Sequence, residues 1–201
     1  MQNITFDLSH LHQHGAAFFD YLRLRKQFFV DELKWDIPHN NELEMDQYDN
    51  PTAFYSLVLK NGKVVGGARV MPTTAKWGSH TYMLKDAVDG KLDDIPPHIM
   101  GDNIVSDHVW ECTRLVMSNE LKSFERGYCL QLIVDGLVRV ANEHGCTELL
   151  TLSRVSLVRA LRQLGYGAKQ LGEPYRNFGD GHTYAVLGMP AQPVMQMMAA
   201  E

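Results

Sequence analysis

The chain has 201 residues, of which 45% are apolar, which is enough for one domain with a hydrophobic core and is unlike a disordered chain. Its net charge of −5 gives no basic footprint, so nucleic acid is not expected as a partner. There is no apolar run long enough for a membrane span and no basic start followed by an apolar stretch, so neither a membrane anchor nor a secretory signal is expected.

The first predicted element is a helix over residues 16–33, because its apolar side chains recur at helical spacing. That stripe consists of Phe18, Leu22, Phe29 and Leu33. Arg25 falls on the same stripe, and a cation on a buried face needs a carboxylate or a ligand as its partner. We therefore expect Arg25 to face a cleft. The alternative is an arginine at the edge of the stripe whose head reaches water.

An acidic segment follows this helix. The stretch ELEMDQYDNP, residues 42–51, carries the carboxylates of Glu42, Glu44, Asp46 and Asp49. Carboxylates this close together repel one another unless water or positive charge compensates them. The segment is therefore expected to face a positively charged group.

Two strands, AFYSLVLK and KVVGGARVMP, flank Asn61-Gly62, a dipeptide that favours a two-residue hairpin turn. Arg69 then lies near the end of the second strand. Residues 76–106 contain Pro96-Pro97 with several Gly and Asp residues and are predicted to be irregular. The remaining predicted elements are a strand over 109–117, a helix over 127–145 ended by Gly145, a strand over 147–153, a helix over 155–165 ended by Gly165, and a strand over 182–189.

After the hairpin, the predicted elements alternate between strand and helix. This order predicts the α/β (α+β) class, a sandwich of one mixed sheet and covering helices. No repeat and no Ser/Gly linker divides the sequence, so residues 1–201 are predicted to form a single domain.

Glu111 and Arg114 both lie on the predicted strand over 109–117. Residues three apart on a regular strand project from opposite faces, unless a bulge re-aims one of them. Two ionised groups on a core strand indicate a binding or catalytic role. The alternative is that each group forms an internal ion pair with a neighbouring element. With the acidic segment, Arg25 and Arg69, they predict a cleft of interleaved cations and carboxylates, which suits a small zwitterion.

These residues carry a resemblance to a known family. The stretch RKQFFVDELKWDIPHNNELEMDQYD is similar to the N-terminal signature of the acyl-homoserine-lactone synthases, the autoinducer synthases of bacterial quorum sensing. The matching positions are Arg25, Phe29, Trp35, Glu44, Asp46, Tyr48 and Asp49, then Arg69 in GGARVMPT, and Glu111 and Arg114 in WECTRLV. The resemblance extends loosely over residues 16–190. The interval between Arg69 and Glu111 is longer than is usual in the family, which could alter the choice of acyl donor.

The resemblance implies a GNAT-like three-layer sandwich, in which the central strands of a twisted mixed sheet splay to admit the acyl-pantetheine arm. It implies an acyltransferase that makes an N-acyl-homoserine lactone from S-adenosylmethionine and an acyl-[acyl carrier protein] and releases methylthioadenosine. S-adenosylmethionine is then a substrate, and no cofactor is expected. Residues 1–50 would form much of the S-adenosylmethionine pocket, and residues 120–190 the acyl-chain and carrier-protein side.

The family's catalytic positions correspond here to Arg25, Asp46, Asp49, Arg69, Glu111 and Arg114. The resemblance implies that Asp46 and Asp49 face the sulfonium and ammonium of S-adenosylmethionine. Arg25 and Arg69 would complement its carboxylate and hold the acidic pair. Glu111 is the general-base candidate, acting through a water. Internal salt bridges are the alternative for Arg69 and Asp49.

The resemblance implies that Phe29 and Trp35 line the substrate pocket. Ser153 falls where the family has Thr or a small residue near the third carbon of the acyl chain, and its hydroxyl suits a 3-oxo group. The stretch 149–172 has no acidic residue, so it suits the acidic carrier protein. Its basic residues are Arg154, Arg159, Arg162 and Lys169. A solvated helix face is the alternative for this patch.

Other functions are kept as alternatives. The first is a GNAT-type N-acyltransferase that uses acyl-CoA on another amine, although SFERGYC has fewer glycines before its helix than the pyrophosphate loop of acetyl-CoA enzymes. The second is a calcium or small-ligand binding module built on the acidic segment, which lacks an EF-hand pattern. Covalent acylation of Cys129 or Cys112 is disfavoured, because direct transfer needs no protein nucleophile.

The cysteines Cys112, Cys129 and Cys146 are far apart and show no zinc-binding spacing, so free thiols in a reducing cytoplasm are expected. The histidines of HLHQH, residues 10–14, would share one face only on a strand. A solvated segment is the preferred interpretation, and no metal site is predicted.

Overall fold

A computed structural model describes residues 1–101 and 103–194 of the chain. These residues pack as two compact units. The first unit comprises Met1–Val70 and Thr113–Val140, and the second comprises Met71–Cys112 and the described residues from Ala141 onward. Within the described ranges, no helix combines the length and apolar character that crossing a membrane requires.

One mixed sheet of eight strands is present in this part of the chain. The strands are β1 (Gln2–Asp7), β2 (Phe54–Lys60), β3 (Lys63–Pro72), β4 (Val109–Met117), β5 (Glu148–Arg154), β6 (Lys169–Gln170), β7 (Tyr175–Arg176) and β8 (Thr183–Pro190). They pair in the order β1-β2-β3-β4-β5-β8-β6, and β7 pairs with β8. The β4–β5 pair is parallel, whereas β1–β2, β2–β3 and β5–β8 are antiparallel. The predicted α/β class with a mixed sheet is confirmed.

The α-helices of the described residues are α1 (Leu11–Arg25), α2 (Met83–Val88), α3 (Ser123–Glu143) and α4 (Leu157–Gln163). A π-helical segment, Lys26–Glu32, continues α1. The helix predicted over 16–33 is therefore present, but it begins earlier and its second half is wound more widely. Phe18, Leu22 and Phe29 of the predicted apolar stripe are buried, so this face packs into the core of the first unit.

The predicted hairpin between β2 and β3 is confirmed. Asn61 and Gly62 have φ angles of 54° and 79°, the left-handed values that a two-residue turn between twisted strands requires. The pairing that follows from this turn sets Tyr55 opposite Arg69. Directly paired residues project from the same face of a sheet. The hairpin register alone therefore brings these two side chains together.

The parallel pairing of β4 with β5 is short. It joins Val109–Cys112 to Glu148–Thr151, although both strands continue beyond these residues. The strand predicted over 109–117 has the predicted bounds. Strands that splay apart stop pairing before they end, so this short ladder is what splayed central strands would require.

Some elements of the fold were not predicted. β1 occupies the first residues, and α2 lies within the 76–106 segment that was predicted to be irregular. A helix of six residues is too short to show a helical period, and its start is held by contacts that are distant in sequence. The HLHQH stretch enters α1 through a short 3-10 turn, so it is not a strand and its alternate residues do not share a face.

Candidate active site

Three arginines and three carboxylates form a buried charge network in the first unit. Its members are Arg25, Glu44, Asp46, Asp49, Arg69 and Arg114. Their side chains are between 0% and 9% exposed. Three positive and three negative charges balance, which allows so many ionised groups to be buried together.

Arg25, the last residue of α1, uses both edges of its guanidinium. Its Nε donates to Glu44 Oε2 at 2.5 Å, and Nη1 and Nη2 donate to the two carboxylate oxygens of Asp49 at 2.8 and 2.9 Å. A two-point contact of this kind fixes orientation as well as charge. Arg25 thus has the carboxylate partners that a buried cation requires, and its head does not reach water from the edge of the stripe. That it faces a cleft stays a prediction.

Arg69 on β3 occupies the centre of the network. Nη1 and Nη2 donate to Asp46 at 2.5 and 3.1 Å, and Nη1 also lies 2.9 Å from Asp49 Oδ1. Its Nε donates to Thr113 Oγ1 at 3.1 Å. Tyr55, which the hairpin register sets opposite Arg69, donates its hydroxyl to Asp49 at 3.1 Å.

The acidic segment is folded so that its carboxylates turn towards these arginines. The Asp49 carboxylate accepts the backbone N–H of Asp46 at 2.9 Å, and the Asp46 carboxylate accepts that of Tyr48 at 2.9 Å. Burial raises the pKa of Asp49, but the charges of Arg69 and Arg25 lower it more, so the net pKa lies well below its usual range. Burial also raises the pKa of Asp46, but the charges of Arg69 and Arg114 lower it more, so its net pKa lies below the usual value. Both acids are therefore ionised at neutral pH.

Arg114 is the most exposed member of the network, at 9%. Its Nη2 lies 2.8 Å from Asp46 Oδ2 and its Nε lies 3.2 Å from Glu44 Oε2. Its φ angle is 56°, although it lies within β4. The regular alternation of a strand is thereby broken, as the sequence analysis allowed for one of Glu111 and Arg114.

An aromatic pair borders this end of the network. The rings of Phe29 and Trp35 stack with centroids 5.0 Å apart, and the Arg114 guanidinium carbon lies 5.4 Å from the centre of the Phe29 ring. The turn that ends the π-helical segment brings the two residues together, since Lys34 has a left-handed φ of 60° and the Trp35 N–H donates to the Phe29 carbonyl at 2.9 Å. Phe29 is buried and Trp35 is half-buried.

Glu111 belongs to the second unit and has other contacts. Its side chain is fully buried, and its two carboxylate oxygens accept the backbone N–H groups of Met83 and Leu84 at 2.8 Å each. These are orphan donors at the start of α2, so Glu111 caps this helix from β4. The general-base role of Glu111 stays a prediction.

The residues assigned to the acyl and carrier-protein side all lie in the second unit. Ser153 and Arg154 are on β5, Arg159 and Arg162 on α4, and Lys169 on β6. Arg159, Arg162 and Lys169 are exposed. Arg162 also donates Nε to the Ala168 carbonyl at 2.8 Å. Their binding to a carrier protein stays a prediction.

Cys112, Cys129 and Cys146 are free. Burial raises the pKa of Cys129 to about 11, and burial likewise raises that of Cys112. Both are therefore protonated thiols at neutral pH and poor nucleophiles. Within residues 1–101 and 103–194, no group of His, Cys, Asp and Glu side chains is arranged to hold a metal ion.

Glu44 has no separate role predicted from the sequence, and Tyr21 and Tyr55 are not among the predicted site residues. Glu44 is fully buried and joins Arg25 to Arg114. Its place in the acidic signature was the only sequence signal. Tyr55 could have been found from the hairpin register, since it pairs with Arg69. Nothing local in the sequence marks Tyr21.

Comparison with known proteins gives consistent results. The family model described as autoinducer synthase matches residues 9–194. An acyl-homoserine-lactone synthase of Ralstonia solanacearum is 29% identical over 194 residues, covering 86% of this chain and 89% of the relative. TofI, solved in a ternary complex with an inhibitor and MTA, has a TM-score of 0.75 at 27% identity and covers 96% of this chain and 92% of its own.

Two more distant structures show likeness of fold. BjaI, a CoA-dependent acyl-homoserine lactone synthase solved with SAM and isopentyl-CoA, has a TM-score of 0.75 at 18% identity, covering 98% of this chain and 85% of BjaI. A protein from Lactobacillus plantarum assigned as an N-acetyltransferase has a TM-score of 0.58 at 16% identity, covering 96% of this chain and 100% of that protein. The GNAT-like fold implied by the resemblance is thereby confirmed.

Proposed function

The chain belongs to the autoinducer synthase family and is an acyl-homoserine-lactone synthase, and from that premise we propose that it acylates S-adenosylmethionine with a chain carried on acyl carrier protein. The observation that carries this proposal is the charge network bordered by the Phe29–Trp35 stack. It supplies anionic, cationic and aromatic groups for one small zwitterion that also bears a sulfonium.

The proposed reaction has two bond-forming steps. The methionine ammonium first loses one proton to a base, and the free amine attacks the thioester carbonyl. An amide C–N bond forms, the C–S bond breaks, and the carrier sulfur leaves as a thiol with a second proton from the amine. The methionyl carboxylate then attacks its own γ-carbon, and the bond from that carbon to the sulfonium breaks. Methylthioadenosine leaves as a neutral molecule. Both steps need the sulfonium, the amine and the carboxylate held in fixed places.

Arg114 is best placed to contact the substrate carboxylate. Arg25 and Asp49 have no exposed side-chain surface and bind each other through two hydrogen bonds, so they act as support behind the site. Arg114 and Asp46 lie nearer the surface and carry opposite charges 2.8 Å apart. This pair matches the carboxylate and ammonium of one amino acid, which is how Asp46 would meet a cationic part of the substrate.

Phe29 and Trp35 would contact the sulfonium and its adenosyl group. A cation over an aromatic face is attracted by the ring quadrupole, most strongly over Trp. Trp35 is the half-buried member of the stack, so part of its surface is open to a ligand. TofI has been solved with MTA and BjaI with SAM, which supports this substrate class for the family fold.

Glu111 remains the proposed general base, through a water, and its two N–H contacts orient the carboxylate. The donor is proposed to be acyl carrier protein because residues 149–172 contain basic side chains and no acids. BjaI, by its description, depends on CoA instead. Ser153 is proposed to lie beside the acyl chain.

The test is a reaction of the purified chain with S-adenosylmethionine and a set of acyl groups, each supplied on carrier protein and on CoA. Mass spectrometry would follow the lactone and methylthioadenosine together. We expect both products from the carrier-protein donors. Lactone from acyl-CoA alone would overturn the donor assignment. An acylated amine without methylthioadenosine would favour a general N-acyltransferase, and no lactone from any donor would overturn the proposed function.

A further inference from the structure

Arg114 has an unusual backbone for its position. Among the described residues, the non-glycine residues with positive φ are Lys34, Asn61 and Arg114. Asn61 forms the hairpin turn and Lys34 follows the π-helical segment, whereas Arg114 lies within a strand. A residue with a Cβ is disfavoured in this conformation and keeps it only where its surroundings hold it.

The conformation has a visible consequence for the site. Thr113 Oγ1 accepts a hydrogen bond from Arg69 Nε at 3.1 Å, and the next residue, Arg114, contacts Asp46 at 2.8 Å. Adjacent residues of a regular strand point to opposite faces and could not both reach one network. The left-handed backbone at Arg114 is therefore what lets Thr113 and Arg114 face the same group of charges.

Tyr21 forms a direct hydrogen bond with the backbone of Arg114. It lies on α1, its side chain is fully buried, and its hydroxyl donates to the carbonyl oxygen of Arg114 at 2.8 Å. Its ring lies 5.3 Å from the Arg25 guanidinium carbon and packs edge-on against Tyr55 at 6.2 Å. Burial raises the pKa of Tyr21, so the phenol keeps its proton and remains a donor.

We propose that Tyr21 is a positioning residue for Arg114: its hydroxyl holds the left-handed backbone that turns the Arg114 side chain towards Glu44, Asp46 and the bound S-adenosylmethionine. The claim that Tyr21 affects substrate binding rests on the proposed function. The claim that it holds the Arg114 backbone does not. Tyr21 itself does not touch the reacting atoms, so it acts only through Arg114.

The decisive variant is Tyr21→Phe, which keeps the ring and its packing and removes one hydroxyl. Its matched control is Ser56→Ala, because the Ser56 hydroxyl is also fully buried in the first unit and donates to the Ile133 carbonyl at 2.9 Å. Ser56 follows Tyr55 on β2 and projects from the opposite face. Each variant loses one buried hydroxyl-to-carbonyl hydrogen bond, and Ser56→Ala also loses the bond that Asn3 Nδ2 donates to the Ser56 hydroxyl at 2.9 Å. A general loss of stability should therefore be at least as large in Ser56→Ala as in Tyr21→Phe.

Two readouts separate positioning from stability. In steady-state kinetics, Tyr21→Phe should raise KM for S-adenosylmethionine by roughly three- to tenfold, the effect of one such hydrogen bond, while KM for the acyl donor stays unchanged. Ser56→Ala should change neither KM. A crystal structure of Tyr21→Phe should show Arg114 out of the left-handed region or its guanidinium away from Asp46.

An unaltered Arg114 in the variant would overturn the proposal, whether or not the wild-type chain makes a lactone. A moved Arg114 with unchanged KM for S-adenosylmethionine would overturn the positioning role, as would an equal rise in Ser56→Ala. If the wild-type chain makes no lactone, the proposed function fails, and the crystal structure of Tyr21→Phe still decides whether this hydroxyl holds the Arg114 backbone.

Discussion

Arg25 and Asp49 form a two-point ion pair with no exposed surface on either side chain. Nη1 and Nη2 of Arg25 lie 2.8 and 2.9 Å from Oδ1 and Oδ2 of Asp49. Arg25 ends α1, and Asp49 lies in the acidic segment that follows. The pair therefore connects the first helix to that segment and forms the fully buried side of the charge network.

Removing the arginine of this pair should destabilise the fold. Arg25→Ala removes the arginine that donates two hydrogen bonds to the buried carboxylate of Asp49 and one to that of Glu44, which is expected to lower the free energy of unfolding by about 3–5 kcal/mol. Chemical denaturation at neutral pH measures this change.

The matched control is Arg23→Ala on the same helix. Arg23 pairs with Asp20 at 3.0 Å, but these side chains are 54% and 42% exposed. An exposed pair contributes roughly 0–1 kcal/mol. Equal losses in the two variants would contradict the claim that the buried pair supports the first unit.

The depressed pKa of Asp49 predicts acid sensitivity. The ordinary carboxyl pKa is 3.8, and the charges of Arg69 and Arg25 hold the Asp49 pKa well below that value in the folded state despite burial. The unfolded chain therefore binds a proton at higher pH than the folded one does. The stabilisation is complete above the unfolded pKa and decreases as the pH falls below about 4.

Denaturation of the wild type and Asp49→Asn between pH 7 and pH 3 tests this. The variant should be less stable at pH 7, and its stability should fall less steeply with acid. Asp20→Asn, at a carboxylate that is 42% exposed, serves as control and should follow the wild-type curve. If the stability of Asp49→Asn falls with pH as steeply as that of the wild type, the Asp49 carboxylate is not responsible for the acid sensitivity.

Glu111→Gln should separate proton transfer from helix capping. The amide keeps the size of the carboxylate and one acceptor oxygen but cannot take a proton from the amine. We expect kcat to fall by about 10²- to 10⁴-fold, the usual range for a general base, in a protein that remains folded. Glu111→Ala should also abolish amide formation, but it removes both acceptors of the α2 N–H groups.

Asp86→Asn provides the comparison for the capping role. Asp86 is buried and accepts hydrogen bonds from the Thr81 N–H and hydroxyl at the start of α2. The variant weakens this end of the helix and leaves Glu111 unchanged. If Asp86→Asn lowers kcat as much as Glu111→Gln does at equal thermal stability, Glu111 is an anchor and the base assignment fails.

The basic patch on α4 predicts a donor-specific effect. Arg159→Glu should raise KM for acyl carrier protein several-fold, and the difference from wild type should shrink at high salt, because screening weakens exposed charge attraction. KM for S-adenosylmethionine should not change. Lys76→Glu, an exposed change outside the patch, is the control. A similar rise with both variants would show only a response to net charge.

Much of the fold could be predicted from local patterns. Asn61-Gly62 sets the hairpin, the 109–117 strand has the predicted bounds, and Gly145 and Gly165, both with positive φ, follow α3 and α4 as predicted. The resemblance to autoinducer synthases was confirmed by the family match over residues 9–194. These features depend on residues close in sequence or on a long motif.

The contacts of the site could not be predicted in the same way. The acidic segment faces cations, and the resemblance implied that Arg25 and Arg69 hold its acidic pair, but the contact of Arg114 with Asp46 was not predicted. The left-handed backbone of Arg114 depends on tertiary contacts, and the cap that Glu111 makes joins β4 to α2. Such relationships depend on three-dimensional packing, which one sequence does not display.

The central claim is that the edge of the charge network beside the Phe29–Trp35 stack binds S-adenosylmethionine. Calorimetric titration of S-adenosylmethionine into the wild type, Trp35→Phe, Trp35→Ala and the exposed-tryptophan control Trp77→Ala tests it most directly. We predict that Trp35→Ala weakens binding by about tenfold, within the range of one cation–aromatic contact, that Trp35→Phe has a smaller effect, and that Trp77→Ala has none. A dissociation constant for Trp35→Ala equal to that of the wild type would contradict the account.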